Sequence, residues 1–600
     1  MWVKNLSRLV AGRTKTHCAA FVCNHCLHPF SDKEIHDRHI PHCQRHPPQD
    51  VRYPNPENPK ECTLEFHNKA ARFRLPFYLV CDFESFLTPD EDVDAVKATN
   101  IIDEHRVCGF ACHRVSQYAE YQTEPLVYSG PGVMDKFYDH IMRESEVISA
   151  ILANDRDMTA LTATQQKDYQ DATECAECGG SFTKSNHKVR HHDHVTGQYL
   201  FPACNSCNLT LKMPNRKRKV TQGQVQNKKV KIDEDMEWAE DKYAKNFFLP
   251  VVFHNLKSYD AHFVIKHFKK QYTARCKDQD DDDDDEGESY GDIRVTPLNG
   301  EKYLSFQVGN LRFIDSFQFL STSLDNLVSL LLKSGRDKFT HTTKFLGNDD
   351  LVFAKGVYPY SYMSGPEKFT ETQLPPIEAF YNTLEDEPCP VQNYNRAREI
   401  WGHYKIKTMR DYHDHYLLSD VLLLADVFEN FRNSIYEQHR LDPLHFITLP
   451  SLAWASALKY TNAKLDLITD PDMYLMIENS MRGGIATISH RHARANNPLV
   501  EGYDPSKPHS WLSYTDCNNL YGGAMSQPLP VGNFRFLSQE EIADFDVMKI
   551  PTHGDTGYIV ECDLKYPPEL HDLHSDYPMA PEHLTVSPDM LSDFCKEIKA

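Results

Sequence analysis

Two carboxylates separated by one residue close an apolar stretch early in the chain: Phe77-Tyr-Leu-Val-Cys81 runs directly into Asp82-Phe83-Glu84. If the stretch is a strand, side-chain alternation turns Asp82 and Glu84 to one face and Phe83 to the core on the other, and paired carboxylates on one face suit a divalent cation. The same triplet on a solvated face would do nothing. A second apolar run, 247–253, leads through His254-Asn255 and Ser258-Tyr259 to Asp260 at the head of an amphipathic segment, 261–268. Asp260 is expected in that helix's first turn, where it serves either a cation or simply the helix dipole, with Ser258 as N-cap. Far downstream, Tyr416-x3-Asp420 is expected to open a strongly helical stretch, 421–428, with both side chains on one face. A capped core helix is the alternative there.

The cysteines speak for a second metal. Seventeen is an odd total, and many fall in Cys-x-x-Cys pairs beside histidines, which in a reducing compartment favours zinc over disulfides. Cys23-x2-Cys26 is followed by His39 and Cys43, four apart, so a knuckle and a short helix would present four ligands tetrahedrally; unliganded surface cysteines are the alternative. Cys175-x2-Cys178 and Cys204-x2-Cys207 would close a second zinc site around His191-His192-Asp193-His194, Gly197 and Asn208.

These residues need a scaffold, and 600 residues with 40% hydrophobic content are enough for three or four domains. The expected organisation is a zinc-finger-like module at 17–46, a proline- and charge-rich linker at 47–74, and an α/β domain at 75–435. That domain is interrupted by the Cys/His insertion at 172–210 and a charged loop at 214–242, and a further domain occupies 440–600. No apolar leader follows Met1 and no run approaches a membrane span, as expected of a soluble, intracellular protein without a membrane partner. The formal charge of −21 argues against bulk coating of nucleic acid, so any DNA contact must be local. Basic clusters at 215–219 and 228–231 would either direct the chain to a nucleus or form a disordered loop. The acidic run 280–285 is expected to be a solvated loop.

In order and context, Asp82-x-Glu84, Asn255-x3-Tyr259-Asp260 and Tyr416-x3-Asp420 resemble the three exonuclease motifs of family B DNA polymerases. The resemblance implies a ribonuclease H-like α/β fold in which Asp82, Glu84, Asp260 and Asp420 hold two Mg²⁺ or Mn²⁺ ions for 3′→5′ hydrolysis. It implies further that Tyr416 orients the attacking water and that Asn255 and Tyr259 line the groove for a single-stranded 3′ end. Met481-Arg482-Gly483-Gly484 resembles the glycine motif preceding the polymerase domain, with Arg482 against a phosphate; a plain turn is the alternative. Trp511-Leu-Ser-Tyr-Thr-Asp516 through Tyr521 resembles polymerase motif A. There Asp516 would end a strand and hold catalytic Mg²⁺, and Tyr521 would pack under the incoming sugar. The segment after it, 522–530, is similar to that of protein-primed polymerases of viruses, linear plasmids and large self-synthesising transposons. Primer–template DNA, deoxynucleotides and a terminal protein are the partners this implies.

The chain departs from the pattern in one respect: the 79 residues after Tyr521 contain neither the Lys-x3-Asn-x2-Tyr-Gly helix nor the Asp-Thr-Asp turn, so an incomplete palm and no polymerisation from this chain alone are expected. The insertion resembles the zinc-bearing endonuclease VII type of ββα-metal nuclease, a match that makes His192 a general base and Asn208 a ligand of a catalytic ion. Where that family has an Asp this chain has His191, a poorer magnesium ligand, so a structural zinc module is the preferred reading. Two other functions therefore stand beside the exonuclease: a structure-selective endonuclease in the insertion, and a non-catalytic, transposon-derived zinc-finger DNA-binding protein.

Overall fold

The computed structural model describes residues 21–45, 52–89, 103–211, 248–277, 293–299, 302–481, 488, 490–577, 579 and 586–596, except 27, 155, 384, 385 and 594. The chain divides into two units, Phe66–Ala463 and a second made of Met1–Glu65 with Lys464–Ala600. Arg482, Gly483 and Gly484, both basic clusters and the acidic run 280–285 lie outside the described residues.

In the second unit, the paired strands β1 (Phe21–Val22) and β2 (Pro29–Phe30) precede a helix, Lys33–Cys43, that Asp32 caps by accepting from the backbone N–H groups of Glu34 and Ile35. Strand β3 (Thr63–Leu64) pairs antiparallel with a two-residue strand at Leu465–Asp466. Much of 499–579 is exposed and irregular.

The Phe66–Ala463 unit is built on β4 (Phe77–Pro89), which pairs antiparallel over its whole length with β5 (Asp103–Ser116). Strand β5 in turn pairs with β6 (Leu126–Ser129). A separate antiparallel hairpin, β7 (Lys188–His192) and β8 (Tyr199–Cys204), lies in the insertion. Strand β9 (Leu249–Phe253) runs parallel to β4 on its other side, and β10 (Ile293–Pro297), β11 (Tyr303–Val308) and β12 (Leu311–Asp315) complete a mixed seven-stranded sheet in the order β10-β11-β12-β9-β4-β5-β6. β12 and β9 are also parallel.

Alternation along β4 decides what each face receives. Phe77, Leu79, Cys81 and Phe83 point into one core, where they meet Phe137 and Ile141 of the helix Val133–Ala153 and Val264 and Phe268 of the helix Asp260–Lys277. Tyr78 and Val80 point into the other, packed with Leu417, Val421, Leu424 and Phe428 of the long helix Met409–His439. Asp82 and Glu84 share the parity of Tyr78 and Val80, so they turn toward the long helix. That helix starts seven residues before Tyr416, because Thr408 and Asp411 form a reciprocal capping box. Tyr416 and Asp420 therefore sit in its interior rather than at its opening.

The far end of the long helix is tied to the entrance of β4 by a buried ion pair. Arg432 donates to Asp442 at 2.6 and 2.8 Å and also to the Leu75 carbonyl, while Asp442 accepts from the Leu75 backbone N–H at 2.8 Å. Both side chains are almost completely buried. Removing one partner strands the other charge in the core, so Asp442→Ala should cost about 3–5 kcal/mol. Urea unfolding followed by circular dichroism would measure the loss; an unchanged midpoint would show that the pair does not hold the helix in place.

Candidate active site

Three segments bring carboxylates to the face of β4 that meets the long helix. The first is β4 itself, where a register shift between Glu84 and Ser85 follows the acidic pair. The second leaves β9 through Asn255, whose backbone is left-handed (φ 69°). Asp315, at the end of the neighbouring β12, fixes this turn by accepting from the backbone N–H groups of Asn255 (2.9 Å) and Lys257 (3.2 Å). The helix then begins at Asp260, which is 3% exposed and has one oxygen without a hydrogen-bond partner. The Tyr259 hydroxyl lies 2.8 Å from His105 Nδ1, and Asn255 is exposed.

The third segment is the long helix, which contributes Asp420, 2% exposed and also left with an unpartnered oxygen. Its other oxygen is 2.8 Å from Lys355 Nζ. Lys355 belongs to an irregular stretch, 354–359, that leads into a 3-10 turn, Tyr360–Tyr362, and passes against Tyr416: the Tyr358 ring stacks on the Tyr416 ring at 5.0 Å, and the hydroxyls of Tyr360 and Tyr416 are 2.9 Å apart. Gly356 allows the approach, since a Cβ there would stand 2.9 Å from the Tyr416 ring.

The electrostatics follow from crowding like charges in a poorly solvated place. Burial, then the nearby Asp420, push the Asp82 carboxyl up to about 7, with Lys355 opposing. Glu84 is raised well above the carboxylate range by burial and by Asp82, and Asp260 by burial and Asp82. Burial works against the Lys355 ammonium, yet Asp420 outweighs it and holds the charge firmly. Lys355 thus opposes the crowding at Asp82, Glu84 and Asp420, whereas nothing comparable offsets the burial of Asp260 beside Asp82 among the described residues. The all-oxygen donor set and the two orphaned buried oxygens fit Mg²⁺ or Mn²⁺. Among the described residues, however, only the two cysteine-rich groups gather three or more ligand atoms within 4.8 Å of one another; the carboxylates stand wider.

Those two groups have zinc geometry. A tetrahedron with Zn–S bonds of 2.3 Å places sulfurs about 3.8 Å apart. Cys23 and Cys43 Sγ are 3.8 Å apart, Cys26 Sγ is 3.3 Å from His39 Nε2, and Cys178 and Cys204 Sγ are 4.0 Å apart. Cys175 and Cys207 complete the second group. Around it, β7, β8 and the helix Asn205–Thr210 form a ββα unit. There the His191 ring meets Asn208 with a 2.9 Å Nδ1–Oδ1 hydrogen bond, occupying the amide oxygen expected to ligate a catalytic ion, while the His192 and His194 rings lie 4.6 Å apart, tilted by 48°.

Asp516 and Tyr521 lie in the other unit. The expected strand ending at Asp516 does not form: residues 511–517 are irregular and exposed, since no neighbouring strand offers them a ladder among the described residues. Tyr521, 88% exposed, sits in a short helix, Leu520–Met525. Sequence reasoning missed Lys355, Tyr358, Tyr360 and Asp315. The stretch carrying Lys355, Tyr358 and Tyr360 has no helical or strand period, and the aromatic spacing of Lys355-Gly-Val-Tyr358-Pro-Tyr360 is its local sign; Asp315 ends a strand, but its role lies in a turn sixty residues earlier.

A family model described as DNA polymerase type B, organellar and viral, matches residues 244–597, more than half of the chain. The chain belongs to that family. Membership makes it a DNA-directed DNA polymerase in the broad sense, a nucleotidyltransferase whose partners are DNA and nucleotides and whose class works with divalent cations such as Mg²⁺. The matched span contains Asp260, Tyr416, Asp420 and Asp516, whereas Asp82, Glu84 and both cysteine-rich groups precede it. No curated protein and no solved structure matches the chain. No helix among the described residues is long and apolar enough to cross a membrane.

Two measurements follow from this geometry. Purified chain should contain two equivalents of zinc by mass spectrometry, with Cys26→Ser and Cys204→Ser each removing one; retention of both in either variant would discard that site. A folded-state carboxyl raised from about 4 to about 7 makes the native state bind more protons than the unfolded one, so Asp82 contributes stability at low pH that is lost as pH rises toward 7. Without added divalent cation, Asp82→Asn should therefore raise Tm at pH 8 by roughly 2–5 °C and leave it nearly unchanged at pH 4. A lower Tm at pH 8 would contradict the crowding of charge.

Proposed function

We propose that the Phe66–Ala463 unit is a ribonuclease H-like 3′→5′ exonuclease of a DNA-replicating, protein-primed type B polymerase, acting on the single-stranded 3′ end of a primer. The observation that carries this reading is the meeting of Asp82, Glu84, Asp260 and Asp420, from segments as far apart as 338 residues, in one mutually repelling buried group. These four carboxylates would hold two divalent cations, which when bound supply an activated water and neutralise the leaving 3′ oxygen. Tyr416 offers its hydroxyl to position the water, held in place by Tyr358 and Tyr360. Lys355 Nζ, 2.8 Å from one oxygen of Asp420, fixes the orientation of that carboxylate. Asn255 and Tyr259, at the rim, line the entry for unpaired bases, which aromatic stacking accepts without regard to sequence. In a primer–template complex, a terminal protein would supply the priming hydroxyl, and Asp516 and Tyr521 would belong to the nucleotide site.

The test is digestion of a 5′-labelled single-stranded oligonucleotide with Mg²⁺ by the whole chain, beside the double variant Asp82→Ala, Glu84→Ala. Stepwise shortening from the 3′ end should fall by about a thousandfold or more, the effect of losing several kcal/mol of metal-assisted stabilisation. Equal shortening by both proteins would end the exonuclease assignment. Internal cleavage that survives in the double variant but vanishes in His192→Ala would transfer the activity to the insertion.

A further inference from the structure

A cleft of about 800 Å³ opens within the Phe66–Ala463 unit where the Cys/His insertion leans on the sheet. The insertion is docked there, not tethered. The Tyr118 hydroxyl donates to Asp193 at 2.8 Å, the Arg156 backbone N–H donates to the His194 carbonyl at 2.8 Å, and that of Thr159 to the Gly197 carbonyl at 2.7 Å. Gly197 (φ 75°) has no alternative residue, since a Cβ there would lie 2.5 Å from the Asp157 carbonyl oxygen. The cleft is thus a fixed concavity shared by two structural elements.

Its charge is unbalanced. Among its acids, Glu429 is already held by Arg74, Arg432 and the Tyr78 hydroxyl, and Asp193 accepts from Tyr118 and from the backbone N–H groups of Val195 and Thr196. Only Glu177 faces the remaining cations, 3.9 Å from Arg72. Lys344 bonds a neutral partner, Gln122, at 2.6 Å, and Arg440 lies over the Tyr436 ring; among the described residues neither has a carboxylate within ion-pair distance. The Nε atom of Arg72 is buried without a hydrogen-bond acceptor. The aromatic rings of Phe73 and Tyr118 line the same cleft, whereas the Tyr436 ring is covered by Arg74 and Arg440.

We propose that this cleft is a second nucleic-acid site, which takes the phosphate backbone of single-stranded DNA on Arg72, Lys344 and Arg440, with the rings of Phe73 and Tyr118 offering stacking faces to its bases. Basic groups interleaved with aromatic rings are the chemistry that holds unpaired strands without reading sequence. A volume in the range that encloses one small ligand admits a short run of single strand and not a duplex. The cleft is distinct from the carboxylate group. It borders the end of β5 that pairs with Phe77, five residues or about 16 Å along β4 from Asp82. Arg440 lies twenty residues, or about 30 Å of helix, beyond Asp420.

The test uses the whole zinc-loaded chain, without added Mg²⁺, and fluorescence anisotropy of a labelled single-stranded DNA oligonucleotide across a salt series. Lys344→Gln and Arg440→Asn are chosen to spare the fold: Lys344 is exposed, and asparagine tolerates the left-handed backbone at Arg440 (φ 51°). The double variant should bind about tenfold more weakly, and the slope of log K against log salt should flatten by about 1.4, two single-strand phosphates at roughly 0.7 each. Glu177→Gln should act oppositely and tighten binding. Unchanged affinity and slope in the double variant would overturn the proposal, as would a loss confined to duplex DNA. Because Lys344 and Arg440 lie outside the carboxylate group, these results stand whether or not the chain digests 3′ ends.

Discussion

Carboxylates that repel one another can be buried together only if the scaffold around them is stiffer than their repulsion, and this constraint organises the Phe66–Ala463 unit. Asp82 and Glu84 are held by a thirteen-residue strand paired along its length with β5 and flanked on the other side by β9. Asp260 is held by a helix start that Asp315 pins to the sheet, and Asp420 by the interior of a thirty-one-residue helix whose end is anchored through Arg432 and Asp442. Each acid is fixed by its own element, so no single side chain can swing away to relieve the strain of like charge. The only remaining relief is protons or cations, which is the condition a metal-dependent site requires.

Much of this was legible in the sequence because it depends on short periods. Two-residue alternation placed Phe83 in one core and the two acids on the opposite face, and the apolar run before Asn255 announced a strand feeding a helix that opens with Asp260. The long helix begins well before its apolar run at 421–428, because its start is set by the polar capping pair Thr408 and Asp411 and not by apolar period. Lys355 and its tyrosines could not be found by period at all; they act from an irregular segment whose path is set by contact with Tyr416, a tertiary fact. Asp315 escaped for a related reason, as its role consists of accepting backbone hydrogen bonds from a turn sixty residues earlier in the chain.

The expected strand before Asp516 failed for a complementary reason. Residues 511–515 have the aromatic and β-branched composition of a strand, but such composition expresses a preference for a pleated, half-buried surface rather than an autonomous conformation. Without neighbours to complete a ladder among the described residues, the segment leaves Tyr514 98% exposed. Composition marks where a strand is welcome, and only pairing makes one.

In the insertion, one hydrogen bond decides what Asn208 can offer a cation. The insertion's four cysteines retain a spacing suited to zinc, yet at the strand position facing Asn208 stands an imidazole that bonds the amide directly. A carboxylate there would share an oxygen donor set with Asn208 and invite a hard cation; a neutral imidazole whose Nδ1–H donates to the amide oxygen completes a hydrogen bond instead. Burial disfavours the charged ring and lowers the His191 pKa, which keeps that neutral donor form in place. The outer surface of the insertion, bonded to Tyr118 through Asp193 and facing Arg72 through Glu177, forms one wall of the cleft.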